Sequence, residues 1–183
     1  YKVKYMSKDM KIRKFIATTI REYLNEQISS NKEFIAYHST DSKIDDFDFD
    51  KIELKPNSST RIDGMFFSNV PQTSWGEYVY KVKILSQNPA IFDLSKSRFD
   101  SLGIQEAFDA LLRGDTSYII DDLVEYGGME QEEAENLAEE WRDLDLIVIT
   151  NQVYGKHDIE YIVPEPYYNG KSAKIINLGV ENF

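Results

Sequence analysis

The order of the predicted elements favours the α+β class. A helix comes first, a group of short strands follows it, and a helical block separates those strands from the last ones. This order differs from the regular alternation of strands and helices that builds a parallel βαβ sheet. The 183 residues, 42% of them hydrophobic, are enough for one domain with a buried core. We therefore expect a single α+β domain over residues 1–183.

The first half of the chain predicts one helix and several short strands. Apolar residues recur at helical spacing from Ile12 to Leu24, which predicts an N-terminal helix over residues 8–30. The polar and acidic stretch 41–61 predicts a long loop. Residues 71–75 predict a turn that enters a short helix. Apolar or alternating runs predict strands at residues 34–38, 65–68, 78–85 and 89–94.

The second half begins with a predicted helical insertion over residues 95–143. Apolar periodicity predicts helices over residues 99–112, 118–126 and 130–141, and Gly127-Gly128 ends the second of them. The third helix is strongly acidic. Apolar runs then predict strands at residues 144–150, 159–163 and 173–180.

Composition argues against several classes of function. The net charge of −11 argues against broad non-specific binding to nucleic acid, because such binding uses Lys and Arg to neutralise phosphates. The chain has no Cys, so it has no disulfide framework and no thiolate chemistry. His38 and His157 are the only histidines, which argues against a multi-His metal site. The acidic run from Asp45 to Asp50 lacks the closing Glu of a calcium loop. We expect no metal.

The sequence contains no membrane or export signal. No apolar run approaches the roughly 20 residues that a membrane helix needs, and no signal peptide is visible. We therefore expect a cytoplasmic protein without a membrane partner, acting in its own cell or in the cytosol of a host cell after delivery. The chain begins with Tyr1 rather than Met, which indicates a processed or excised product, so the presence of a leader before Tyr1 stays open.

Two short strands carry an ionisable side chain at an edge. His38 ends the run 34–38, and Glu160 lies near the start of the run 159–163. Taken singly, each residue more often has a structural role. A histidine such as His38 can simply end a strand, and a glutamate such as Glu160 can simply face solvent. Burying a carboxylate without a partner is costly, however. A histidine that binds sugar hydroxyls and a carboxylate that stabilises positive charge at an anomeric carbon are together suited to cleaving a glycosidic bond.

The segment between them adds candidate ligand-binding residues. Gly64 precedes an aromatic strand and permits close approach of a ligand to the backbone. Phe66 and Tyr78 are predicted to stack on a flat ring, with Ser74 between them in sequence. Arg61 is suited to a pyrophosphate, although a solvated loop cation is the more frequent role for such a residue.

These residues resemble the signature of a known enzyme family. The segments Tyr37-His38-Ser39-Thr40, Gly64-Met65-Phe66-Phe67-Ser68 and Glu160-Tyr161-Ile162-Val163 are similar to the three signature strands of ADP-ribosyltransferases of the diphtheria-toxin and poly(ADP-ribose) polymerase type. The pair Ser74 and Tyr78 resembles the Ser and Tyr of the following helix. The resemblance covers about residues 34–85 and 144–180 and extends to transferase domains of phage and bacterial polyvalent proteins.

The resemblance implies a fold and a set of roles. The fold would be a split, twisted antiparallel β core with NAD bound as a substrate between two half-sheets. His38 would bind the adenosine-side ribose, Ser39 would stand where the family has a nicotinamide-binding Gly, and Ser74 would contact the nicotinamide amide. Glu160 would be the catalytic carboxylate. Phe66 replaces the signature Tyr, so the stacking surface remains while its hydroxyl is lost.

The implied activity is transfer of one ADP-ribose to a macromolecule, as a phage or bacterial effector or toxin. The net charge favours a protein acceptor, and RNA and DNA stay open. The segment Lys156-His157-Asp158 precedes Glu160 and is equally consistent with acceptor contact and with a polar turn. Two alternatives stay open: an NAD glycohydrolase toxin, and a non-catalytic binding module on the same fold. A 2′-phosphotransferase of related fold is disfavoured, because it needs several basic residues for its phosphate.

Overall fold

The computed structural model describes residues 32–50, 61–151, 159–166 and 168–181. The predicted N-terminal helix, part of the predicted loop 41–61 and the segment Lys156-His157-Asp158 lie outside the described residues. Among those described, no helix is long and apolar enough to cross a membrane.

Seven strands and three α-helices make up the described chain. The strands are β1 (Lys32–Thr40), β2 (Gly64–Ser68), β3 (Tyr78–Ser86), β4 (Pro89–Asp93), β5 (Leu146–Thr150), β6 (Ile159–Pro164) and β7 (Lys174–Glu181). The helices are α1 (Ser101–Leu112), α2 (Thr116–Glu125) and α3 (Gln131–Glu140), preceded by a 3₁₀ turn at Leu94–Lys96. These bounds agree closely with the predicted strands and helices. Residues 71–75 form only a turn, closed by a 3.1 Å bond from Trp75 N to the Gln72 carbonyl.

The α+β class is confirmed, with a mixed rather than purely antiparallel sheet. The seven strands form one sheet in the order β4-β5-β6-β2-β1-β3-β7. β4 and β5 are parallel, and the other neighbours are antiparallel. The helical block between β4 and β5 supplies the crossover connection of about a dozen residues or more that a parallel pair requires.

Aspartate side chains cap the N-termini of two of the helices. Asp100 accepts a 2.7 Å hydrogen bond from Gly103 N at the start of α1. Asp115 accepts one from Tyr118 N at the start of α2, at 3.3 Å. Each satisfies a backbone donor that has no partner within its helix.

The sheet has an apolar cluster on each face. On the helical face, residues of α1, α2 and α3 pack with Phe92, Trp141, Ile149 and Ile162. On the opposite face, called here the loop face because the 44–49 segment covers it, Phe47 packs with residues from six strands. β5 contributes to both clusters, which explains its unbroken apolar sequence.

The sheet is nearly divided between β1 and β2. β1 pairs with β3 along its whole length, and β2 pairs with β6 along its whole length. In the described chain, β1 and β2 share a single register pair, Tyr37 with Ser68. The result is a three-stranded half-sheet (β1, β3, β7) and a four-stranded half-sheet (β4, β5, β6, β2). We call the boundary between residues 37–40 of β1 and 64–68 of β2 the split.

A buried carboxylate joins the β3–β4 turn to β5. Asp145, only 6% exposed, accepts hydrogen bonds from Ser86 Oγ at 2.5 Å, Gln87 N at 2.7 Å and Asn88 N at 3.0 Å. Its backbone N donates to the Asn88 carbonyl and its carbonyl accepts from Ala173 N. One residue therefore fixes the turns that lead into β4, β5 and β7.

Replacing Asp145 is expected to destabilise the fold. Asp145→Ala leaves buried donors without acceptors, so the free energy of unfolding should fall by about 2–4 kcal/mol. Asp145→Asn keeps one acceptor oxygen and should cost less. Urea unfolding of both variants measures the difference. A loss below about 0.5 kcal/mol for Asp145→Ala would contradict this role.

Candidate functional site

Glu160 lies beside the split with its carboxylate held by a buried amide. Its register partners are Ser68 on β2 and Ile149 on β5. Gln105 Nε2 donates a 3.2 Å hydrogen bond to Glu160 Oε2. Gln105 is 3% exposed and reaches the carboxylate from α1 on the helical face. The carboxylate therefore has a defined orientation at the sheet surface.

Gln105 is a site residue that the sequence interpretation missed. Its Oε1 accepts a 3.2 Å hydrogen bond from Arg61 N, so both ends of the amide are engaged. The available signal was its position: Gln105 follows Ile104 and precedes Phe108 by three residues on the apolar stripe of α1. A polar residue on a core-facing helical stripe needs a buried partner.

A buried hydroxyl lies on β1 at the split. Among the described residues, Ser39 Oγ and Ser172 Oγ are buried side-chain atoms without a hydrogen-bond partner. Ser172 belongs to the turn before β7, whereas Ser39 is two residues from the bridging Tyr37. Buried hydroxyls normally have a partner, so Ser39 Oγ is a candidate for hydrogen bonding to a ligand at the split.

His38 is fixed by a backbone carbonyl across the split. Its Nδ1 lies 2.9 Å from the Phe66 carbonyl oxygen, and since a carbonyl only accepts, Nδ1 carries the proton. The ring packs against Phe47 and Phe67, each with centroids 5.5 Å away. Burial lowers the pKa of His38 below its usual 6.5, partly opposed by the bond to Phe66. The ring is therefore neutral at pH 7, and Nε2 is a hydrogen-bond acceptor.

His38 and Glu160 occupy opposite faces of the sheet near the split. Cross-strand partners share a face, so Tyr37, Ser68 and Glu160 form one row. His38, the next residue after Tyr37, faces the other way, toward Phe67 on the loop face. A single ligand that contacts both side chains must therefore reach both faces of the sheet rather than lie along one face.

The β2 candidates have different surroundings. A Cβ at Gly64 would lie 2.6 Å from the Val163 carbonyl oxygen, so the absence of a side chain here allows close approach of β6. This contact differs from the ligand approach expected at Gly64. Phe66 is partly buried against the helical-face cluster, in the same row as Ile162 and Ser68.

Tyr78 and Ser74 lie at the end of β1. Tyr78 pairs with Thr40 and packs against the loop-face cluster. Phe66 and Tyr78 thus belong to different clusters, and a two-sided aromatic clamp is not formed in this structure. Ser74 is exposed in the turn before β3, where a Cβ at Gly76 would lie 2.4 Å from the Thr40 backbone. A hydrogen bond with Glu77 raises the pKa of the Tyr78 phenol, which keeps it protonated at neutral pH.

Arg61 is engaged with α1. Its Nε forms a 2.8 Å ion pair with Glu106, and both side chains are about half exposed. The guanidinium therefore already has an anionic partner in this structure. Among the described residues, no group of three or more His, Asp or Glu side chains is arranged to hold a metal ion.

Comparison with known proteins identifies no family. No family model and no curated protein matches the sequence. Among solved structures, the chain is similar to one described as the crystal structure of an anti-CRISPR protein. The identity is 12% and the TM-score 0.36, over 80% of this chain and 96% of that one. A similarity at this level carries no argument about fold or function.

The environment of His38 predicts a pH-dependent stability. Because its folded pKa is depressed, the unfolded chain binds more protons below pH 6.5, so the stabilisation is present above 6.5 and lost as the pH falls through the folded pKa. In His38→Asn, a side-chain amide can still donate to the Phe66 carbonyl, but no ring titrates. We expect the melting temperature of the parent to fall more steeply between pH 7 and 5 than that of the variant. Equal slopes would contradict the neutral, buried assignment.

Proposed function

We propose that this chain is a mono-ADP-ribosyltransferase that cleaves the nicotinamide–ribose bond of NAD and transfers ADP-ribose to a macromolecule, as a phage or bacterial effector. One arrangement carries the proposal. Glu160 is held by Gln105 beside the split, and Ser39 on the same face offers a buried hydroxyl without a partner. A carboxylate and an unused donor beside the split are suited to a ribosyl group and its attached amide.

The residues around the split fit NAD as a substrate. Ser39 Oγ would bond the nicotinamide amide, and Phe66 would offer an apolar ring surface beside it. His38 Nε2, an acceptor because Nδ1 donates to Phe66, would accept a hydroxyl of the distal ribose. The opposed facing of His38 and Glu160 suits an elongated dinucleotide, with one end at each face.

Glu160 would act on the ribose next to nicotinamide. The bond that breaks joins the nicotinamide nitrogen to C1′, and its electron pair leaves with neutral nicotinamide. Positive charge grows on the sugar as this bond lengthens, and a nearby carboxylate stabilises it. An acceptor atom then forms the new bond to C1′ and gives up a proton, for which Glu160 is a suitable base.

The acceptor is proposed from charge and from the residue at position 66. The net charge of −11 favours a protein acceptor over RNA or DNA. Phe66 lacks the hydroxyl of the signature Tyr, which favours transfer of one ADP-ribose over chain building. Lys156, His157 and Asp158 precede Glu160 in sequence and are the candidates for acceptor contact.

Replacing Glu160 tests the proposal. Glu160→Gln keeps the size and an acceptor oxygen but removes the charge, so transfer of labelled ADP-ribose to lysate proteins should fall at least about 100-fold. Glu165→Gln is the matched control, because Glu165 follows the other end of β6 and bonds Asp63 through its backbone. Thermal unfolding confirms that both variants are folded.

Three outcomes are distinguishable. Transfer by the parent that is lost only in Glu160→Gln supports the proposal. Equal transfer by Glu160→Gln and the parent would show that the mechanism is wrong. Nicotinamide release by the parent in buffer, with no label on any macromolecule, would instead indicate an NAD glycohydrolase.

A further inference from the structure

Gln105 is a buried polar residue whose side-chain amide is hydrogen-bonded at both ends. It is 3% exposed on α1, yet it lies on a helix stripe otherwise occupied by apolar residues. Burying an amide there is costly unless both of its ends are bonded. Its two bonds, to Arg61 N and to Glu160 Oε2, supply those partners and fix which end faces the carboxylate.

We propose that Gln105 is a positioning residue that holds the Glu160 carboxylate in its ionised form, turned toward the split. This inference rests on the proposed function. An amide is a suitable partner, because it donates to the carboxylate without neutralising it as a cation would. The backbone N–H of Arg61 orients the amide, so side-chain changes at Arg61 leave that donor in place.

The charges around Glu160 are compatible with this role. Its register partners Ser68 and Ile149, on the two flanking strands, are uncharged. On α1, Glu106 is ion-paired with Arg61, which precedes β2, and Asp109, one turn after Gln105, is ion-paired with Arg113. In these described elements, the donor that faces the carboxylate from α1 is neutral.

Two substitutions separate positioning from packing. Gln105→Leu removes both hydrogen bonds. Gln105→Glu keeps the shape and an acceptor for Arg61 N, and it exchanges the donor to Glu160 for a second carboxyl. Losing a donor to an ionised acceptor should raise the pKa of the Glu160 carboxyl by about one unit or more, with the larger rise in Gln105→Glu. The control is Gln131→Leu, because Gln131 is an exposed glutamine on α3 bonded only locally to Glu135.

The readouts are the Glu160 side-chain carbon titration by NMR and the pH profile of nicotinamide release. We expect the acid limb of kcat/KM to move to higher pH in both variants. In Gln105→Leu, kcat should fall about 10- to 100-fold at pH 7 while KM for NAD changes little. Unshifted carbon titration and acid limb in folded variants would overturn the proposal.

Failure of the proposed function gives a different pattern. If the parent releases no nicotinamide, the transferase proposal fails. The carbon titration of Glu160 in the parent and in Gln105→Leu still decides whether Gln105 holds the carboxylate ionised. If the Glu160 titration shifts in Gln105→Leu although the parent is inactive, the positioning role of Gln105 is retained. If the titration does not shift, the positioning proposal fails together with the transferase proposal.

Discussion

The contact between β1 and β2 is the constraint on which the site depends. Each strand is fully paired on its other side, β1 with β3 and β2 with β6, while between them only Tyr37 and Ser68 are in register. The His38 imidazole adds a second link by donating to the Phe66 carbonyl. A continuous ladder would close this boundary. The near-division leaves polar groups of both half-sheets, among them Ser39 Oγ, beside a boundary with a single register pair.

The two faces of the sheet contribute different chemistry at this boundary. On the loop face, the neutral ring of His38 is buried among aromatic rings, and its Nε2 is a hydrogen-bond acceptor. From the helical face comes a carboxylate oriented by α1. The helical insertion is therefore part of the proposed site as well as a cover for the sheet. Asp145 supports the same arrangement from a distance, because it fixes the turns that lead into β4 and β5.

Local patterns in the sequence predicted the elements better than their assembly. Alternation and apolar periodicity located the strands, and the three helices of the insertion were confirmed. The parallel pairing of β4 with β5 was not predicted, because strand pairing across the helical block depends on contacts between residues far apart in the sequence. The face of the sheet to which a side chain at the split points depends on cross-strand register, which no local pattern encodes. The opposed orientations of His38 and Glu160 were therefore not predicted. Gln105 was overlooked because a glutamine within a helix is unremarkable until its burial is known.

Titration with an uncleavable NAD analogue shows whether the split binds the dinucleotide. Carba-NAD, whose nicotinamide-side ribose has a carbon in place of its ring oxygen, can be titrated while backbone amide NMR shifts and the melting temperature are followed. We predict saturable shifts at Ser39 and Phe66, on the two sides of the split, and a rise in melting temperature, because a ligand that binds only the folded state stabilises it. Unchanged shifts and melting temperature at about millimolar analogue would contradict it.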